Sequence, residues 1–184
     1  ALEFAGILNG LGVSTNLIYR GQRLLKSFDS EMTDKVELGM RSKGVKIHLN
    51  TKVDSIEFVN ESHDVFLTDG RCISADLVLY ATGRRANTDH LGLENTSVKT
   101  RHDGSIIVDK DFRTHEPSIF ALGDVIDRVQ LTPVAIQEAM VLVDHLFGKA
   151  EQTIDYRNIP TAVFSQPEFA SVGMTEDQAK EISA

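Results

Sequence analysis

Two stretches of this chain share a form that narrows the choice of folds. Leu77-Val78-Leu79-Tyr80-Ala81 runs into Thr82-Gly83-Arg84, and Ser118-Ile119-Phe120-Ala121-Leu122 runs into Gly123-Asp124. A short unbroken apolar run reads as a strand buried on both faces, the habit of parallel sheets with helices on either side. Glycine at the end of such a strand lets a ligand or another backbone approach closely. Ligands of open α/β sheets bind at the carboxyl ends of strands, so Gly83, Arg84, Gly123 and Asp124 are candidate binding positions. An acid at position 124 can accept hydrogen bonds from sugar or polyol hydroxyls. The same pattern also serves as a plain strand-to-turn signal, and both readings stay open.

The segments around these runs supply the other layers. Phe4, Ile7, Leu8 and Leu11 repeat with helical spacing and Gly12 closes the pattern. Val13 to Tyr19 reads as a strand. Asp29 or Ser30 caps a helix carrying Met32, Val36, Leu38 and Met40, which ends at Gly44. Val45, Ile47 and Leu49 alternate as a strand, as do Ile56 with Phe58 and Val65 with Leu67; Asp69-Gly70 is a hairpin turn leading to Cys72 and Ile73. Residues 1–81 therefore read as a doubly wound α/β layout without its first strand, carrying an antiparallel insert. Farther on, Asp103-Gly104 is a turn before Ile106 to Val108. Pro133 opens a helix with Val134, Ile136, Met140, Val143, Leu146 and Phe147, and Gly148 ends it. Ile159-Pro160 marks a boundary before a strand at Thr161 to Phe164. Thr175-Glu176-Asp177-Gln178 is a capping box close to the last residue. A chain that opens in helical periodicity and stops just after a helix start reads as an internal portion of a larger protein.

Composition removes several function classes. The 184 residues carry a net charge of −8, a poor match to nucleic-acid phosphates. No apolar run approaches the ~18 residues of a membrane helix. A single cysteine, Cys72, excludes a disulfide framework or a dithiol within the chain and reads as a half-buried structural thiol. The histidines show no metal-ligand spacing, so no metal site is expected.

Against this acidic background, Arg20, Arg23 and Lys26 follow Tyr19 within seven positions, and no Asp or Glu appears until Asp29. In dinucleotide-binding folds the end of the second strand reads the adenine ribose: an acid there suits the 2′-hydroxyl of NAD, and arginine suits the 2′-phosphate of NADP. The guanidinium fork can donate two parallel hydrogen bonds to a phosphate. The alternative is an ordinary solvated loop.

Several motifs occur together and in order: Ala1-Leu2-Glu3-Phe4-Ala5-Gly6, Ala81-Thr82-Gly83-Arg84, Phe120-Ala121-Leu122-Gly123-Asp124-Val125, Leu131-Thr132-Pro133-Val134-Ala135 and Ile159-Pro160-Thr161-Ala162-Val163-Phe164-Ser165. On these the chain resembles the flavin-dependent pyridine nucleotide–disulfide oxidoreductases over nearly its whole length. The Leu-Thr-Pro-Val-Ala stretch and the cations favour the glutathione and trypanothione reductase branch.

The resemblance implies FAD and NADPH as cofactors. It implies an NADPH-binding domain over 1–81 lacking its first strand and Gly-rich loop, a returning segment of the FAD-binding domain over 82–155, and the start of an α+β dimerisation domain over 156–184. Arg20 and Lys26 match the 2′-phosphate site, with Arg23 beside them; Lys26 departs from the arginine often found there. Glu3 matches an acid approaching the nicotinamide, although an acid in a first helical turn is also favoured by the helix dipole alone. Gly83 matches a backbone contact to NADPH, with Arg84 adjacent. Asp124, next to Gly123, matches the carboxylate on the flavin ribityl chain. Leu131 and Thr132 match the start of the helix facing the flavin ring. Gln130 and Ala162 match positions around the nicotinamide carboxamide.

The family's reactive cysteine pair, N-terminal FAD phosphate loop and acid–base pair have no match in this sequence, so no catalytic residue is assigned and the chain alone is expected to be inactive. The implied activity is NADPH-dependent reduction of glutathione disulfide by a cytoplasmic homodimer that contacts neither nucleic acid nor membrane. The alternatives are a relative with another acceptor (trypanothione-like, dihydrolipoamide or mercuric type) or a non-catalytic cofactor-binding module.

Overall fold

The elements follow one another as α1 (Leu2–Gly10), β1 (Asn16–Ile18), α2 (Ser30–Ser42), β2 (Lys46–His48), β3 (Val53–Val59), β4 (Ser62–Leu67), β5 (Cys72–Ala75), α3 (Thr132–Phe147), β6 (Thr161–Val163), β7 (Phe169–Ser171) and α4 (Glu176–Ser183), with short 3-10 turns at Leu93–Asn95, Gly123–Ile126 and Tyr156–Asn158. These come from a computed structural model that describes residues 1–148 and 153–183. The chain divides into two units, Ala1–Thr82 with Pro160–Ala184, and Gly83–Ile159.

In the first unit β1 and β2 pair in parallel, with Leu17 opposite Ile47. Parallel neighbours need a crossover, and α2 supplies it. Asp29 caps α2 by accepting from the amides of Glu31 and Met32, as its position before the apolar pattern predicts. The core gathers Leu2, Ala5, Leu24, Val36, Met40, Val45, Ile47, Val163 and Phe169.

Residues 160 to 183 are bound into this unit at several points. Phe169 meets Phe28 edge-on at 5.2 Å between ring centres. Pro167 lies so close to Gly39 that a Cβ there would fall 2.3 Å from its Cδ. Thr175 and Gln178 form the expected reciprocal cap: the Thr175 amide donates to Gln178 Oε1 and the Gln178 amide donates to Thr175 Oγ1. β6 and β7 pair antiparallel. The insert β3-β4-β5 is antiparallel throughout, and Gly70 turns its second hairpin at φ +87°.

The second unit packs Ile106, Phe112, Ala121, Ile126 and Val141 around the Gly123–Ile126 turn and α3. Pro133 lies in the first turn of α3, where its missing N–H costs no hydrogen bond.

Four expectations need correction. Leu77 to Ala81 forms no strand, and Leu77 and Tyr80 are 78% and 62% exposed. A strand buried on both faces needs hydrogen-bonding neighbours, and this run has none among the described residues. Ser118 to Leu122 holds one isolated bridge, Phe120 to Arg113, rather than a strand. The buried helix faces also differ. α1 buries Leu2, Ala5 and Gly6 while Phe4, Ile7 and Leu11 are exposed, and α3 buries Val134, Glu138 and Val141 while Ile136, Met140, Val143 and Phe147 are exposed. Both helices carry apolar residues on more than one face, so tertiary contacts decide which is used. Lastly, Cys72 is exposed: β5 is an edge strand whose alternation turns Ile73 inward and Cys72 out.

Candidate functional site

The cation loop begins where β1 ends. The Tyr19 amide donates to the His48 carbonyl, extending the β1–β2 ladder by one step before Arg20 leaves it. Gly21 follows, and a Cβ there would fall 2.7 Å from the Tyr19 ring, so a larger residue would displace the ring from its place over the loop. The three cations are not equivalent. Arg23 donates to both carboxylate oxygens of Asp34 on α2, at 2.8 and 3.3 Å, an exposed pair of modest energy. Arg20 and Lys26 are exposed, and among the described residues neither takes part in an ion pair. The expected cluster of three thus presents two uncommitted cations, a donor set suited to a phosphate.

Glu3 lies in the first turn of α1, partly buried. Its Oε1 accepts from the Phe164 amide at 2.8 Å, just beyond β6, where Ala162 is exposed. The structure thereby ties the Glu3 end of α1 to the β6 segment carrying Ala162. Glu3 does more than answer the helix dipole, since it is a long-range anchor for a strand end.

In the second unit, Gly83 holds φ +138° with open space where a Cβ would project, and Arg84 is exposed beside it. The other candidates cluster within a short length of chain. Gly123 opens the 3-10 turn at φ +70°, and a Cβ on it would lie 3.1 Å from the Ala135 Cβ of α3. Both the left-handed conformation and the close approach favour glycine. Asp124 is exposed, and among the described residues its side chain accepts no hydrogen bond. Gln130 donates to Asp127 Oδ1 at 2.7 Å, so one end of its amide is already committed. Leu131 precedes α3 without a side-chain cap, and Thr132 is the first helical residue. An exposed carboxylate on a tight turn beside an uncapped helix start can accept hydroxyl hydrogens while favouring electron-rich groups at the helix end. That pairing fits a polyhydroxyl chain attached to an electron-accepting ring.

Beneath this turn lies a group that the apolar pattern did not single out. Glu138 is 1% exposed; its Oε2 accepts from the Gly123 amide at 2.6 Å and its Oε1 from the Tyr156 hydroxyl at 2.7 Å. Arg128 donates to the Tyr156 oxygen at 3.2 Å and to the Asp109 carbonyl at 2.8 Å. Burial, reinforced by the bond to Glu138, pushes the Tyr156 phenol above its ordinary range. The sequence carried one signal for Glu138: it occupies the same helical face as Val134 and Val141.

Among the described residues, no group of three or more His, Cys, Asp or Glu residues is arranged to hold a metal ion, and no helix is long and apolar enough to cross a membrane.

Comparison with known proteins places the chain among characterised relatives. The sequence profile of the "Pyridine nucleotide-disulphide oxidoreductase" family matches residues 1–139. A glutathione reductase of Burkholderia cepacia is 41% identical over 98% of the chain, which spans 40% of that protein. A trypanothione reductase of Trypanosoma congolense is 35% identical over 97% of the chain, which spans 37% of it. Among solved structures, the HOCl-induced flavoprotein disulfide reductase RclA from Escherichia coli superposes with a TM-score of 0.92 at 30% identity, over 98% of this chain and 41% of that one.

Proposed function

The chain belongs to the pyridine nucleotide–disulphide oxidoreductase family, and from this we propose that the protein carrying it reduces glutathione disulfide with NADPH. FAD, when bound, supplies the ring through which the hydride equivalent reaches a cysteine pair. The chain's own residues bind and orient. Arg20 and Lys26 take the 2′-phosphate of NADPH, and Arg23, held by Asp34, adds positive field nearby. Gly83 gives its backbone to the coenzyme with Arg84 at its side. Glu3 and Ala162 border the nicotinamide. Asp124 accepts the ribityl hydroxyls, while Gly123, Leu131 and Thr132 bring backbone and helix end to the flavin. The chain has one cysteine, so the pair belongs to residues outside it.

One observation carries the coenzyme assignment: the end of β1 presents Arg20 and Lys26 without an ion-pair partner among the described residues. The glutathione assignment rests on similarity to a glutathione reductase over nearly the whole chain. The trypanothione reductase match favours a second reading, in which the acceptor is another disulfide of the same branch. The protein is read as a homodimer of the cytoplasm, with 1–81 in the NADPH domain, 82–155 in the FAD domain and 156–184 opening the dimerisation domain.

Coenzyme oxidation by the complete flavin-loaded protein tests the proposal, with glutathione disulfide, trypanothione disulfide and lipoamide offered in parallel. Turnover with glutathione disulfide and NADPH is expected. Turnover confined to trypanothione disulfide would transfer the assignment to the second reading, and no turnover with any disulfide would leave a cofactor-binding module.

A further inference from the structure

A buried carboxylate is costly unless it is fully hydrogen-bonded, and a leucine at the same inward position of α3 would fill the core without that cost. Glu138 keeps its carboxylate on the face shared with Val134 and Val141, at 1% exposure. Its two oxygens each take a strong contact, the Gly123 amide at 2.6 Å and the Tyr156 hydroxyl at 2.7 Å. Arg128 reaches it through that hydroxyl, while the guanidinium also lies 5.4 Å from the Phe112 ring centre and 5.6 Å from that of Tyr156. The network thus joins Arg128, Tyr156 and Glu138 in series and ends on one backbone amide. That amide belongs to the residue before Asp124. The same residue also packs closely on α3 one turn earlier, since a Cβ on Gly123 would lie 3.1 Å from the Ala135 Cβ. Two contacts from consecutive turns of one helix therefore fix the peptide from which the exposed Asp124 projects.

We infer that Glu138 is a positioning residue for the flavin site, clamping the Gly123 amide to α3 so that the Asp124 carboxylate is held where it takes the ribityl hydroxyls. The inference rests on the flavin assignment of Asp124 made above. Glu138 itself touches no cofactor in this scheme; its effect passes through Asp124 alone.

That dependence is measurable as a double-mutant cycle on FAD affinity in the complete protein, with Asp124→Ala, Glu138→Gln and the two combined. Glutamine conserves volume but replaces the charged acceptor with a neutral amide, so the contact to the Gly123 amide loses its charge assistance. Glu138→Gln is expected to weaken FAD about tenfold and to alter the visible circular dichroism of the bound flavin. Added to Asp124→Ala, it should change affinity by less than about twofold. Multiplying effects, or unchanged FAD affinity in Glu138→Gln, overturn the inference. Should Glu138→Gln not fold, Tyr156→Phe, which removes one contact only, must still weaken FAD, and an unchanged affinity there overturns it equally. If Asp124→Ala itself leaves FAD affinity unchanged, the flavin assignment falls and takes the inference with it. If Asp124→Ala weakens FAD and Glu138→Gln does not, the inference alone fails.

Discussion

The carboxylate of Asp29 accepts the backbone amide hydrogen of Glu176 at 3.0 Å, joining residues 147 positions apart. Its other oxygen takes the amides of Glu31 and Met32. One side chain therefore caps α2 and also the first residue of α4, so a local capping signal doubles as a long-range tie.

These amides, that of Glu176 foremost, hold the Asp29 carboxyl below its usual range. A depressed folded value means the charged form favours the native state. The contribution is fully present above the unfolded value of about 3.9 and is lost as pH falls through the lower folded value. Asp29→Ala should lower Tm by about 2–4 °C near neutral pH. Asp29→Asn keeps one acceptor oxygen and should fall between. The difference between wild type and Asp29→Ala should shrink as scans move from about pH 6 toward pH 3. A difference that does not change with pH would remove the carboxylate from the explanation.

His48 provides a second titration with the same sign and a higher window. Its Nδ1 accepts from Arg71 Nη1 at 2.7 Å, and its Nε2 faces Asn16 Oδ1 at 3.0 Å. A guanidinium only donates, so Nδ1 must be unprotonated, and the neutral ring links β1, β2 and the hairpin turn. Partial burial, and then the Arg71 charge, push its pKa below the ordinary value. Stability from this contact is complete above the unfolded value of about 6.5 and declines as pH falls through the folded one. The urea midpoint of wild type should drop more between about pH 7.5 and pH 5 than that of His48→Gln. Equal drops would assign the slope to other groups.

The local signals were legible in the sequence because their chemistry is local. Asp29, Thr175 with Gln178, Gly70 and Pro133 each satisfy a requirement set by a few neighbouring atoms. The buried faces were less legible. Phe4, Ile7 and Leu11 fit a helical stripe as well as Leu2 and Ala5 do, and only the packing around Val163 and Phe169 selects between them. Leu77 to Ala81 shows that apolar character is a demand for partners and does not supply them. Glu138 was missed because a search for apolar spacing passes over a charge, although that charge stands on the inward stripe. Arg23 was legible as a cation but not as a paired one, since Asp34 reaches it from α2, beyond the loop.

That pairing sharpens the expected effect of Arg20 on coenzyme choice. NADPH differs from NADH by a 2′-phosphate, and contacts to it are charge-assisted. Arg20→Ala should lower the NADPH/NADH ratio of kcat/KM at least ~10-fold, mainly through NADPH. Arg20→Glu should go further by repelling phosphate and offering the ribose hydroxyl an acceptor. Arg23→Ala should do less, because its charge is already shared with Asp34. Raising salt should weaken NADPH more than NADH. The ratio measured for wild type and each variant decides the matter, and an unchanged ratio in Arg20→Ala would make the loop an ordinary solvated surface.

The last expectation separates two demands made on glycine. Gly70 and Gly123 hold similar positive φ values, +87° and +70°, but a Cβ on Gly70 would meet open space while one on Gly123 would lie 3.1 Å from the Ala135 Cβ. Gly70→Ala therefore carries the conformational cost alone, about 1–2 kcal/mol. Gly123→Ala carries a similar cost plus the displacement of the turn from α3, which should add about 1 kcal/mol or more. It also draws the Gly123 amide away from Glu138, stretching a contact of 2.6 Å. Denaturant midpoints at unchanged m-value should rank wild type above Gly70→Ala, and Gly70→Ala above Gly123→Ala. Only the Gly123 variant should lose FAD, because only that turn carries Asp124. Equal midpoints for the two variants would show that the backbone relaxes around Ala135 and that close packing of the turn on α3 does not set stability, and FAD kept by the Gly123 variant would show the same for cofactor retention.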